Sequence, residues 1–121
     1  MKMNHVEQLD IFKRAHLVAL EIYKITAGFP KDELYGLSSQ MKRAAVSINS
    51  NLMEGGGRNT FGEYKHFIGI ARGSLSELKY QTILAKDLEM VSHDTADRLV
   101  DEMEQIGRMM TGLLNKLATS D

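Results

Sequence analysis

The chain of 121 residues has no cysteine, no tryptophan and a single proline, Pro30. Without cysteine, neither a disulfide framework nor a thiolate metal site can form. No apolar run approaches the ~20 residues that cross a bilayer. The opening stretch "MKMNHVEQLDIFKRAH" also lacks the unbroken apolar segment of a secretory signal. The expectation is therefore a soluble cytoplasmic protein with no membrane partner. An excess of charge is missing too. The formal net charge is −1, far from the strongly basic footprint of a nonspecific nucleic-acid binder.

The charge that is present is unevenly spread. Residues 1–39 balance at five cations and five acids, and residues 40–80 hold six cations against three acids. Residues 81–121 hold four cations against eight acids. A mildly basic middle followed by an acidic tail points weakly to a partner.

One proline and no turn-bounded alternation argue for an all-α fold. Four helices separate, at about 10–27, 37–54, 60–90 and 94–117. In the first, Ile11, Ala15, Val18, Ile22 and Ile25 recur at helical spacing, with Leu17 and Leu20 beside them. Gly28 in a left-handed conformation and then Pro30 would end it. Leu37, Met41, Ala44, Ala45, Ile48 and Leu52 form the stripe of the second, and Gly55, Gly56 and Gly57 read as its stop. Asp32 and Glu33 would favour the positive end of that second helix. Thr60 with Glu63 is a capping box opening the third. Its apolar positions run from Tyr64 through Leu75 and Leu78 to Leu88. Ser92 would cap the fourth, whose seam is Leu99, Met103, Ile106, Met110, Leu113 and Leu117. Short joints make neighbours antiparallel, so the expectation is one domain, residues 1–121, folded as an up-down-up-down antiparallel four-helix bundle.

Such a bundle raises the di-iron reading, which needs two Glu-x-x-His pairs. Only Glu63 and His66 match, and Glu63 is claimed by the cap. The four histidines, His5, His16, His66 and His93, are scattered, and no Gly-x-Ser-x-Gly elbow supports a nucleophilic serine. The glycine run follows a helix, with no lysine in register and no strand, so it is no Walker loop. The expectation is no catalytic residue, no cofactor, no metal and no small-molecule substrate.

A polar stripe on the second helix carries more information. Gln40, Arg43, Ser47, Asn51 and Glu54 recur every three or four residues. Serine and asparagine are weak helix formers, and a purely solvated face more often uses lysine and glutamate. Small polar residues suit close packing, and Arg72, Ser74, Glu77 and Gln81 on the third helix are the expected partners in a packing or assembly network. Eight methionines fit core filling and allow an interface.

The stretch "FPKDELYGLSSQMKRAAVSINSNLMEGGGRNTFGEYKHFIGIARGSLSEL" resembles the four-helix-bundle family encoded in intervening sequences of bacterial 23S rRNA genes. The resemblance rests on Phe29-Pro30, Tyr35-Gly36-Leu37, Gln40, Ser47-Ile48, Asn51, Glu54-Gly55, Gly57-Arg58 and the Gly73-Ser74-Leu75-x-Glu77 segment. Asn49 stands where the family often has proline, and Leu52-Met53 replaces Ile-Ala. The resemblance implies an up-down-up-down bundle, a homo-oligomer that is commonly a ring of five, and no established catalysis. A similar fold serves as the accessory subunit of diversity-generating retroelements, where a strongly basic ring engages nucleic acid. The expected function is non-enzymatic binding of structured RNA or of a nucleic-acid-associated protein. Lys42, Arg43, Arg58, Lys65, Arg72 and Lys79 are the candidate RNA contacts. The alternative is a purely structural protein–protein assembly module.

Overall fold

Helical spacing of the apolar residues dictates the architecture. The computed structural model describes residues 9–118, which places His5 outside the described part of the chain. Four α-helices follow in order: α1 (Asp10–Thr26), α2 (Leu37–Gly56), α3 (Phe61–Asp87) and α4 (His93–Ala118), with a short 3-10 turn at Lys31–Glu33. No strand occurs among the described residues. The expected all-α four-helix bundle is what forms.

Side-chain contacts fix the antiparallel order. The start of α1 meets the end of α2, where the Asn49 amide donates to the Phe12 carbonyl at 3.0 Å. Ser47 on α2 meets Ser74 on α3. From Arg72 through Lys79 to Lys86, each seven-residue step down α3 is matched by a seven-residue step up α4, from Thr111 through Glu104 to Asp97. Arg14 and Glu21 on α1 pair with Glu102 and Arg98 on α4, closing the square.

Every residue of the α4 seam is buried, as are Ile11, Ala15, Val18 and Ile22 of α1 and the whole stripe expected on α2. Leu17 and Leu20 depart from expectation, being 62% and 49% exposed. With 3.6 residues per turn, positions 17 and 20 rotate out of the 11-15-18-22 stripe. Leu88 is likewise exposed, because the helix has already ended.

The helix ends hold three corrections. Gly28 is not left-handed; no described glycine has a positive φ. Instead the N–H groups of Gly28 and Phe29 donate to the Ile25 and Thr26 carbonyls, tightening the last turn, and the buried Phe29 ring anchors it before Pro30. Gly55 and Gly56 do not stop α2, which continues through both; Gly57 caps it with φ −88°. The requirement at Gly55 is space: a Cβ there would lie 2.8 Å from the Phe67 Cβ and 3.0 Å from the Tyr64 Cδ1. Finally α3 stops at Asp87, short of the expected Met90. Glu89 takes φ 60°, and the Met90 and Glu89 N–H groups donate to the Ala85 and Lys86 carbonyls. That is a Schellman closure with glutamate at a position glycine usually fills.

The starts follow the expected chemistry. Thr60 accepts from the Glu63 N–H at 3.1 Å, and Ser92 accepts from the Thr95 N–H at 3.2 Å. The Glu33 carboxylate accepts from the Leu37 N–H at 3.2 Å, serving an otherwise unpaired donor of α2.

Candidate functional site

Polar residues of α2 and α3 meet in a small cluster at the centre of their shared seam. The Ser47 and Ser74 hydroxyls lie 2.8 Å apart, and the Asn51 amide donates both to the Ser47 carbonyl at 2.8 Å and to its hydroxyl at 2.9 Å. Small side chains let the two backbones approach, and the hydroxyls satisfy one another where water has little access. The remaining expected members stand apart. Glu54 is exposed and paired with Arg58 one turn on, at 2.8 Å. Gln40 is exposed. Gln81 is buried and donates to Glu77 at 3.1 Å along α3 itself, leaving its own Oε1 buried without a partner among the described residues. The cluster joins two helices and offers no group poised to react.

The six candidate RNA contacts do not converge on one face. Lys42 sits 5.6 Å above the Tyr23 ring, between α1 and α2, with Arg43 exposed beside it. Arg58 packs 4.9 Å from the Phe67 ring near the α2–α3 joint. Lys65, Arg72 and Lys79 follow one another at seven-residue spacing along α3. Lys79 is neutralised by Glu104 at 3.3 Å, whereas among the described residues Arg72 donates to the neutral Thr111 hydroxyl. Arg108 of α4 adds a third cation to the hollow lined by Arg72, Lys79, Glu104 and Thr111. Sequence reasoning missed Arg108 and also Lys86, the next rung of the α3 ladder. The heptad spacing was visible, but which α4 residue answers each rung requires the register.

The α1–α4 flank carries ion pairs that no spacing announced. Glu102 accepts from the Arg14 Nε at 2.8 Å, and Gln105 accepts from the same guanidinium at 2.8 Å. Arg98 grips Glu21 through two bonds of 2.8 Å. The Arg14 hydrogen bond holds the Glu102 carboxyl below its usual range, and Arg98 does the same for Glu21. A depressed folded pKa contributes stability that is complete above the unfolded value and lost as pH falls through the folded one. Acidification below the ordinary carboxylate pKa of about 4.3 should therefore lower the melting temperature. Glu102→Gln should be up to about 1 kcal/mol less stable at neutral pH and should lose less on acidification. Thermal melts across that pH range check this; an unaltered acid limb in the variant would remove Glu102 from the account.

A broad concave surface lies elsewhere, between the outer faces of α1 and α2. A groove of about 620 Å³ is lined by Phe12, Ala19, Leu20, Tyr23, Val46 and Met53, with His16 and Asn49 among the polar groups. Leu20, Tyr23, Val46 and Met53 are each about half exposed there. The Asn49 Oδ1 is buried in its floor without a partner among the described residues. A second hollow of about 500 Å³ shares Tyr23 and Val46 and carries Lys42 and Arg43. One end of the combined groove is thus basic, and Glu54 marks the other. Among the described residues no three His, Asp or Glu side chains gather as metal ligands, and no helix is long and apolar enough to cross a membrane.

Comparison with known proteins agrees with this architecture. The family model described as 23S rRNA-intervening sequence protein matches residues 7–112. A solved structure from Bacteroides thetaiotaomicron VPI-5482, described as a protein of unknown function from the S23 ribosomal protein family, shares the fold with a TM-score of 0.79. It is 17% identical, and the match covers 95% of this chain and 99% of that one. None of the curated proteins compared with the chain matches it. The α2–α3 motif, the four antiparallel helices and a family match running from α1 into α4 lead to one assignment: the chain belongs to the family of 23S rRNA-intervening sequence proteins.

Proposed function

We propose that the protein is a non-enzymatic assembly module that associates with further copies of itself through the apolar groove between α1 and α2. The groove carries the reading. Leu20, Tyr23, Val46 and Met53 give one continuous face a large exposed apolar content, and such faces on soluble bundles mark interaction sites. Its tyrosine and methionine are residue types enriched at interfaces. Nothing in the polar cluster or the ion pairs pairs a nucleophile with a base, which supports binding over catalysis. The solution mass, by sedimentation or light scattering, tests this. An assembly larger than one chain is expected, with a ring of five favoured by the family resemblance; a monomer at all concentrations would refute it.

One observation favours RNA as a second ligand of the assembly. Arg72 and Arg108 share the α3–α4 hollow, where Lys79 engages Glu104 and Arg72 has no acidic partner among the described residues, and repetition around an oligomer would multiply this modest charge. Titration with structured 23S rRNA fragments at several salt concentrations tests it. Replacing both arginines by alanine should weaken binding across sequences and flatten the salt dependence by about two phosphate contacts per copy. No binding at low salt would dismiss the RNA ligand and leave the assembly reading untouched.

A further inference from the structure

The two ends of the groove between α1 and α2 differ in charge, and that difference selects a ligand. The wall is apolar along its length, from Phe12 and Met53 at one end through Leu20 and Val46 to Tyr23 at the other. The Asn49 amide bond to the Phe12 carbonyl, at 3.0 Å, ties α1 to α2 within the groove, so the cleft is formed before anything enters it. Its volume of about 620 Å³ falls within the range of sites that hold small organic molecules, roughly 300–1,000 Å³.

Lys42 and Arg43 stand at the Tyr23 end, where they line the adjoining hollow. Neither has an acidic partner among the described residues. Lys42 rests against the Tyr23 ring, 5.6 Å from its centroid, a contact that attracts the cation without neutralising it. At the opposite end Glu54 pairs with Arg58 at 2.8 Å, so Arg58 is already engaged there. Arg43 and Met53 are ten residues apart on α2, and at ~1.5 Å per residue the apolar track beyond the cations is about 15 Å long. A track running lengthwise along two helices matches an unbranched hydrocarbon tail better than a fused ring system.

We propose that the groove binds a free long-chain carboxylate, its head on Lys42 and Arg43 and its tail along Leu20, Val46 and Met53 toward Phe12. Burial of the tail supplies the affinity, and the two cations set the orientation. The reversed orientation would bring the carboxylate to Glu54. This goes beyond the assembly reading and does not need it, since a single chain presents the whole groove. A second copy and a carboxylate cannot fill the groove together, so the ligand would oppose assembly through that face.

Isothermal titration calorimetry of the full chain with laurate, kept below its micelle concentration, tests the site. Saturable binding is expected, tightening by about threefold for each methylene added from octanoate to laurate. Dodecyltrimethylammonium has the same tail and the opposite head charge, and should bind about tenfold more weakly. Lys42→Gln with Arg43→Gln should weaken laurate by about tenfold and erase the preference for the anionic head. Val46→Asn should weaken both amphiphiles, and circular dichroism melts verify that each variant remains folded. The proposal is overturned by no saturable laurate binding at any protein concentration, by equal binding of the cationic amphiphile, or by indifference to the Lys42 and Arg43 changes. Each of those results leaves the assembly reading standing. Saturable, head-selective binding to a protein that sedimentation shows to be a monomer supports the site and refutes assembly instead.

Discussion

Gly55→Ala should lower the unfolding free energy by roughly 1–3 kcal/mol, although alanine is the better helix former. The added methyl group would enter at 2.8 Å from the Phe67 Cβ and 3.3 Å from the Tyr64 carbonyl oxygen. Neither atom is the free end of a flexible side chain. Relief requires α2 and α3 to separate, and that loosens the Ser47–Ser74 contact two turns away. The propensity gain of about 1 kcal/mol for leaving glycine offsets only part of this cost. Two controls sharpen the result. Phe67→Ala should fail to rescue Gly55→Ala, because alanine keeps the Cβ that causes the clash. Gly57→Ala should be neutral or stabilising by up to about 1 kcal/mol, since a Cβ there would make only ordinary contacts, 3.7 Å from the Met53 and Glu54 carbonyl oxygens, and its φ of −88° suits any residue. Denaturant midpoints at constant slope measure all three. Equal effects at Gly55 and Gly57 would mean that both are simple helix ends.

Tyr64→Ala should cost about 3–5 kcal/mol, a large share of the stability of a domain of this size. Tyr64 is wholly buried, and its ring lies against Gly55 where α2 and α3 cross. Removing it opens a cavity that two rigid helices cannot easily fill. Tyr64→Phe should behave differently. The hydroxyl is buried with no hydrogen-bond partner among the described residues, and burial pushes its pKa up. Deleting an unsatisfied polar atom at constant ring volume should leave stability unchanged or raise it by about 1 kcal/mol. Guanidinium unfolding of both variants decides the matter. A loss above about 1 kcal/mol in Tyr64→Phe would show that the hydroxyl has a partner after all.

The four helices were readable because their buried positions keep one period over several turns, as in the 99-103-106-110-113-117 run of α4. Capping chemistry was equally local: Thr60, Glu63 and Ser92 act within three residues of one another or of their target N–H. The misreadings concern residues whose role depends on another helix. Gly55 looks like a breaker in one dimension and is a contact in three. Glu89 carries no mark of a left-handed residue, because the helix closure imposes that conformation from outside its own preferences. The surfaces divide in the same manner. Ser47 and Asn51 stood out as weak helix formers, whereas Leu17 and Leu20 were hidden among apolar neighbours and turned outward only by rotation. Asn49 is legible as a departure from proline, yet its bond to the Phe12 carbonyl exists only once α1 lies alongside.

The ladder down the α3–α4 seam has a consequence for how the molecule yields. On one flank α4 is joined by Lys86–Asp97 and Lys79–Glu104, and on the other by Arg14–Glu102 and Arg98–Glu21. α2 and α3 are joined instead by a glycine crossing and a pair of hydroxyls. Ionic strength screens the first kind of joint and barely touches the second. Salt thus thins the outer, charged part of the attachment of α4, leaves its buried apolar seam in place, and spares the close α2–α3 contact altogether.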